Sequence, residues 1–199
     1  MSTERANSAE LLEGIRALRA ELGEQMSTRW QRDLPLGELL SDRWERARRL
    51  GFGEGASIYE NTYIYGDVSV AEHTWIGPLV MLDGSGGIEI GHHCSISTGV
   101  QIYSHDTVRW ALSGGEAEPE REAVRVGDCT YLGANATVLR GVTIGDHCVV
   151  GAGTVVTRDL PPCSVAVGVP ARVVGKVTID DRGRIELELD ETSALERGR

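Results

Sequence analysis

The chain has 199 residues, with 30 acidic side chains against 20 basic ones, and its net charge of −10 speaks against nucleic acid or an anionic membrane as a partner. No run of about eighteen apolar residues occurs and the first residues are too polar for a secretory signal, so the expected location is cytoplasmic. One phenylalanine beside 25 glycines is odd for a globular core and fits a narrow stack of aliphatic rungs joined by tight corners.

Residues 1–53 read as a helical segment. Leu11, Ile15, Leu18 and Leu22 recur at helical spacing between polar neighbours, which predicts one apolar face in need of a partner surface. A second helix is predicted to take Asp33 as its cap and Pro35 in its first turn, to carry Leu36, Leu39, Leu40 and Trp44 on one side, and to stop at Gly51-Phe52-Gly53. The role expected of these helices is to cover an open end of the segment that follows.

That segment is a repeat of six residues. In residues 54–106 an aliphatic residue opens each block at Ile58, Ile64, Val70, Ile76 and Leu82, two residues are inserted at Ile88-Glu89, and the frame resumes at Ile90, Ile96 and Ile102. It returns in residues 124–162 with Val126, Leu132, Val138, Ile144, Val150 and Val156. Three blocks per triangular coil predict between four and five coils of short parallel strands, with the openers along the axis. Glycine after the opener marks a corner that is crowded or needs unusual dihedrals.

Residues 107–123 break the coil. They hold Ser113-Gly114-Gly115 and four glutamates around Pro119, and a loop of this length inside a compact repeat points to function. His105 stands at its root. Residues 163–199 form a C-terminal extension in which Ile185, Leu187 and Leu189 alternate with charges after the turn Asp180-Asp181-Arg182-Gly183, predicting a hairpin; Thr192 to Arg199 are expected to be disordered. Cys94, Cys129, Cys148 and Cys163 form no CxxC pair, and Cys94 and Cys148 fall at the fifth place of the block, where a buried reduced thiol fits. Gly84-Ser85-Gly86-Gly87 lacks the following Lys-Ser/Thr of a phosphate loop and reads as a corner.

The stretch VLRGVTIGDHCVVGAGTVVTRDLPPCSVAVGVPARVVG, with the histidine before the loop, resembles the hexapeptide-repeat acyltransferases, in particular the maltose, galactoside and Nod-factor O-acetyltransferases. The resemblance covers roughly Ile58 to Lys176. It implies a mainly β fold, a left-handed parallel β-helix with N-terminal helices, an excursion loop and a C-terminal hairpin. It also implies a homotrimer with sites between neighbouring subunits and acetyl-CoA as cosubstrate, with no metal.

Transfer of an acetyl group from a thioester to an alcohol needs a base for the hydroxyl proton, and histidine titrates in the right range. His73, His92, His93 and His147 sit at ordinary repeat positions and read as corner residues, whereas His105 matches the family's catalytic histidine. Glu120, Glu122, Asp106 or a backbone carbonyl could orient its ring, and Glu122 is the choice here. Trp110 is a candidate wall for the acceptor or simply an anchor of the loop. Asp83 is a candidate partner of a sugar hydroxyl or a plain corner residue. By resemblance, Arg158 and Arg172 meet the CoA phosphates, Lys176 is a substitute for a further family arginine that aligns with Gly175, and Ala134, Ala152 and Thr157 line the pantetheine and adenine track. The sugar-contacting asparagine that the maltose and galactoside enzymes carry before Asp83 is missing from Ile76–Met81, which implies a different hydroxylated acceptor. The competing readings are an N-acetyltransferase acting on an amino sugar, a γ-type carbonic anhydrase, for which the spacing of His93 and His105 is wrong, and a non-catalytic scaffold.

Overall fold

In a computed structural model, which describes residues 2–190 with side chains from residue 7 onward, the repeat winds as a prism of three sheet faces. On the first face Ile58, Ile76, Ile96, Leu132, Val150 and Ala166 stack in parallel register, so there are six coils where the block count predicts fewer than five. The second face stacks Ile64, Leu82, Ile102, Val138 and Val156; the third stacks Val70, Ile90, Val126 and Ile144, and Leu160 bridges to Ile144. The last coil therefore takes Leu160 as its rung, two residues ahead of the strict frame, and Ala166 follows it. All of these except Ile64 are buried, and they form one continuous aliphatic axis. At about 25 cal/mol per Å² of buried apolar surface, this axis is the main stabilising term of a prism too thin for aromatic side chains.

The corners follow a positional rule. The residue three places after the opener takes a left-handed conformation, with φ between +54° and +59° at His73, Leu79, His93, Cys129, Asn135, His147 and Cys163. Glycine directly after the opener has a different cause: a Cβ on Gly133 would lie 2.5 Å from the backbone nitrogen of Ala152 in the next coil. Crowding explains that position, and dihedral strain belongs two residues further on. Cys94 and Cys148 are buried, as their fifth-place positions predict, and burial pushes both thiols above the usual range.

The helices differ from the sequence expectation. Helix α1 runs unbroken over Ser2–Trp30, and Leu11, Ile15 and Leu18 are exposed on it. The predicted second helix is two short ones, α2 over Leu36–Leu40 and α3 over Arg43–Arg49, interrupted at Ser41-Asp42. Helix α2 starts after Pro35 without a side-chain cap, so Asp33 does not have the capping role assigned to it. The chain divides into two compact units after Asp42. Within the second unit, α3 closes the first coil. Ala47 and Phe52, the only phenylalanine, join the core there, and the Arg46 guanidinium donates to the carbonyls of Tyr59 and Thr62. Those carbonyls lie on the first coil, so α3 does what an end cap of a solenoid must do.

At the other end the strand Ser164–Val167 pairs antiparallel with Arg172–Ile179, which turns at Asp180–Arg184 and pairs with Ile185–Leu189. This is the predicted hairpin, extended by one strand that ties it to the first face. The disorder expected for Thr192 to Arg199 lies outside the described residues. No described helix is long and apolar enough to cross a membrane.

Candidate active site

The corner between the second and third faces departs most from the six-residue spacing in the coils of Leu82 and Ile102. The strand Met81–Ile90 runs along both faces and bends at Gly84–Gly87. The two extra residues are absorbed in this bend; Ile88 is a buried strand residue paired with Val124. In the next coil Ser104 is wholly buried, its N–H and hydroxyl both donate to Asp83 O, and its Oγ accepts from Gly86 N at 2.7 Å. The N–H of Glu122, on the returning side of the loop, donates to Ser104 O at 2.9 Å. Bend, coil and loop are thus locked around one serine.

His105 occupies the place three after Ile102, where other coils turn left-handed, but here the chain leaves the prism. Residues His105-Asp106 pair antiparallel with Glu120-Arg121, forming the base of the loop, and a short helix α4 over Val108–Leu112 forms its outer part. The His105 Nδ1 lies 3.0 Å from Asp83 Oδ2. Asp83 is itself fixed: its Oδ1 accepts from the backbone N–H and the hydroxyl of Ser85 at 3.1 and 2.6 Å. The N–H direction at Nδ1 misses the carboxylate oxygen, so this buried nitrogen has ion-pair proximity to Asp83 without an aligned hydrogen bond. A proton on Nδ1, the nitrogen nearer Asp83, leaves Nε2 as the free lone pair.

The expected orienting group, Glu122, is engaged elsewhere. Its Oε1 lies 2.8 Å from an Arg140 terminal nitrogen, and Arg140 also holds Asp106 and Glu120. Arg140 carried no signal in the sequence, because its partners are brought to it only by the stacking of Val138 on Ile102. The Arg140 guanidinium, bonded to Asp106, holds that carboxyl below its usual range. Asp83, assigned from sequence to an acceptor hydroxyl, has its free oxygen turned to His105. Trp110 is half-exposed on α4, with its ring over Gly115.

The cofactor candidates fall into separate groups. Arg158 and Arg140 each stand two residues beyond rungs that pair, Val156 and Val138, so His105, Arg140 and Arg158 follow one another at one corner on consecutive coils. Thr157 and Arg158 are exposed there. Arg172 follows Ala171, whose N–H donates to Val155 O, so both arginines border the last rung of the second face. Ala134 and Ala152 lie at the corner between the first and second faces, stacked through the Gly153 N–H donating to Ala134 O. Lys176 stands apart, in the first sheet, as the cross-strand neighbour of Glu188. Among the described residues no group of three or more His, Cys, Asp or Glu side chains is placed to hold a metal ion.

The class of protein these features define is matched by comparison with known proteins. Residues 123–158 match the family described as the hexapeptide repeat of succinyl-transferase. The chain is similar to a galactoside O-acetyltransferase of Escherichia coli (strain K12), 28% identical over 134 residues, covering 57% of this chain and 66% of that protein. It is also similar to a serine acetyltransferase of Mycobacterium tuberculosis (strain ATCC 25618 / H37Rv), 35% identical over 118 residues, covering 59% of this chain and 49% of that one. The chain therefore spans at most two thirds of the length of these curated relatives. Among solved structures, a variant of AntD, an N-acyltransferase from Bacillus cereus bound to dTDP and coenzyme A, superposes with a TM-score of 0.57 at 23% identity, covering 73% of this chain and 77% of that one. The resemblance to the left-handed β-helix acyltransferases stands on these matches, and the fold is theirs.

Proposed function

We propose that the protein is an acetyl-CoA-dependent O-acetyltransferase acting on a sugar or another hydroxylated acceptor, with His105 as general base. The observation that carries this reading is the Asp83–His105 pair at 3.0 Å, held at the root of the loop by Ser85 and Ser104. Asp83 favours the tautomer with the proton on Nδ1 and stabilises the imidazolium as it forms. Nε2 then removes the acceptor hydroxyl proton while the oxygen attacks the thioester carbonyl. The carbon–sulfur bond breaks and the proton passes to the departing thiolate, giving CoA and the acetyl ester. No acyl-enzyme is required.

The similarity to coenzyme A-dependent proteins supports placing the cosubstrate along the corner that carries His105 and Arg158. Two coil spacings, about 10 Å, separate these residues, which suits a pantetheine arm running between a reacting thioester and its phosphates. Arg158 and Arg172 supply the cations, Thr157 borders them, and Ala134 and Ala152 line the track from a neighbouring prism in a homotrimer. Lys176 has the weakest claim because Glu188 is its strand neighbour.

The test is release of free CoA thiol from acetyl-CoA in the presence of paired alcohol and amine acceptors built on the same sugar. Turnover on the alcohols is the expected result. Turnover confined to the amines assigns the protein to N-acetylation, and a lack of CoA binding removes the enzyme reading altogether.

A further inference from the structure

Arg140 lies far along the chain from His105, yet each of its three guanidinium nitrogens meets a different carboxylate of the loop. Nε donates to Asp106 Oδ2 at 2.5 Å, one terminal nitrogen reaches Glu122 Oε1 at 2.8 Å, and the other donates to Glu120 Oε2. Asp106 belongs to the outgoing foot of the loop, directly after His105; Glu120 and Glu122 belong to the returning foot. The feet are also joined by a short antiparallel pair, His105 with Arg121 and Asp106 with Glu120, by the Glu122 N–H donating to Ser104 O, and by the Arg109–Glu120 ion pair. Arg140 itself stands on the regular wall, two residues beyond Val138, whose rung is paired on both sides.

The chemistry of this arrangement is specific to a guanidinium. A planar fork with five N–H donors can serve three carboxylates in three directions, whereas the ammonium of a lysine is a point charge on a flexible stem. The fork also carries an electrostatic duty. Without it, Asp106, Glu120 and Glu122 would converge with Arg109, 2.9 Å from Glu120, as the one other cation in an ion pair with them among the described residues. Three like charges at the base of a loop push its feet apart.

We infer that Arg140 is the positioning residue of the reaction: it fastens both feet of the loop to the rigid wall and so fixes where the His105 backbone leaves the prism and how its ring faces Asp83. The inference rests on His105 being the base. Arg140 stands on the corner between His105 and Arg158, but its guanidinium is taken up by the three carboxylates, and the role inferred for it runs through His105.

The test compares Arg140→Met and Arg140→Lys with wild type and His105→Ala in the full chain, using acetyl-CoA and the best acceptor from the screen. Removing the clasp is expected to lower kcat about 10-fold or more while KM for acetyl-CoA changes by less than about twofold, since displacing a catalytic group by about 1 Å costs on the order of 10²-fold in rate. The lysine variant, which keeps the charge without the fork, falls between. Trypsin is expected to cut after Arg109 or Arg121 faster in both variants than in wild type at a temperature where all are folded. Wild-type kcat and wild-type loop cleavage in Arg140→Met, with His105→Ala inactive, would overturn the clasp. An equal loss in kcat and in affinity for acetyl-CoA would also overturn it, by showing a general structural role. If Arg140→Met fails to fold, the lysine variant gives the same readings. Should His105→Ala retain turnover, the base assignment fails, and the trypsin rates alone then decide whether Arg140 holds the feet.

Discussion

Four of the five histidines occupy the same place in the six-residue block, three after the opener, and of these four it is His105 whose ring lies against an aspartate carboxylate. At His73, His93 and His147 the backbone turns left-handed and the chain passes to the next face, with His73 and His93 exposed and His147 partly so. At His105 the chain leaves the prism, pairs with the returning foot of the loop, and sets its ring 3.0 Å from a buried aspartate. The difference lies in what surrounds the position: a bent strand carrying Asp83 on one side and a guanidinium clasp on the other. In the proposed function the regular coil builds the wall, and two of its departures from regularity, Gly84–Gly87 and the loop, supply the reaction centre.

The comparison is sharpest on the regular side. Gly133→Ala places a Cβ 2.5 Å from Ala152 N, backbone against backbone, and is expected to cost about 1–3 kcal/mol in urea unfolding. Gly153→Ala meets nothing within 4 Å but keeps φ at +68°, so its expected cost is no more than about 1–2 kcal/mol, and Gly153→Asn costs less still because Asn tolerates that region. Equal losses at Gly133 and Gly153 would mean that the two corner positions have a common cause.

A smaller effect belongs to the irregular side. Asp106 is depressed below the ordinary value of 3.8 by its bond to Arg140. A group lowered in the folded state adds stability above its unfolded pKa and loses it as pH falls through the folded value. Wild type is therefore expected to melt higher than Asp106→Asn at pH 6–7, and the gap to close as pH drops below 3.8. A gap independent of pH would show that the carboxylate charge at the loop foot is not what Arg140 uses.

Much of this was legible before the fold was known. The aliphatic openers gave the prism, the buried thiols and the point where the loop leaves, because each is a local pattern of spacing. The split of the second helix at Ser41-Asp42 was not, since no proline or glycine marks it. The last coil was miscounted because Leu160 enters two residues early, where the sequence shows only a proline pair after it. Asp83 could be named but not placed, and Arg140 carried no signal at all. Each meets its partner across coils, through the register of Asp83 with Tyr103 and of Val138 with Ile102, and a frame with an inserted pair of residues does not say which corner absorbs them. Glu122 looked like the partner of His105 because it is near the loop's end in sequence; the structure gives that carboxylate to Arg140.

The most direct measurement is turnover of acetyl-CoA on the best acceptor by His105→Ala beside His147→Ala, with binding of CoA measured for both by calorimetry. The account predicts a loss of about 10²–10⁴-fold in kcat for His105→Ala with CoA affinity retained, and wild-type values throughout for His147→Ala. Wild-type turnover by His105→Ala, or an equal loss in the two variants, would contradict it.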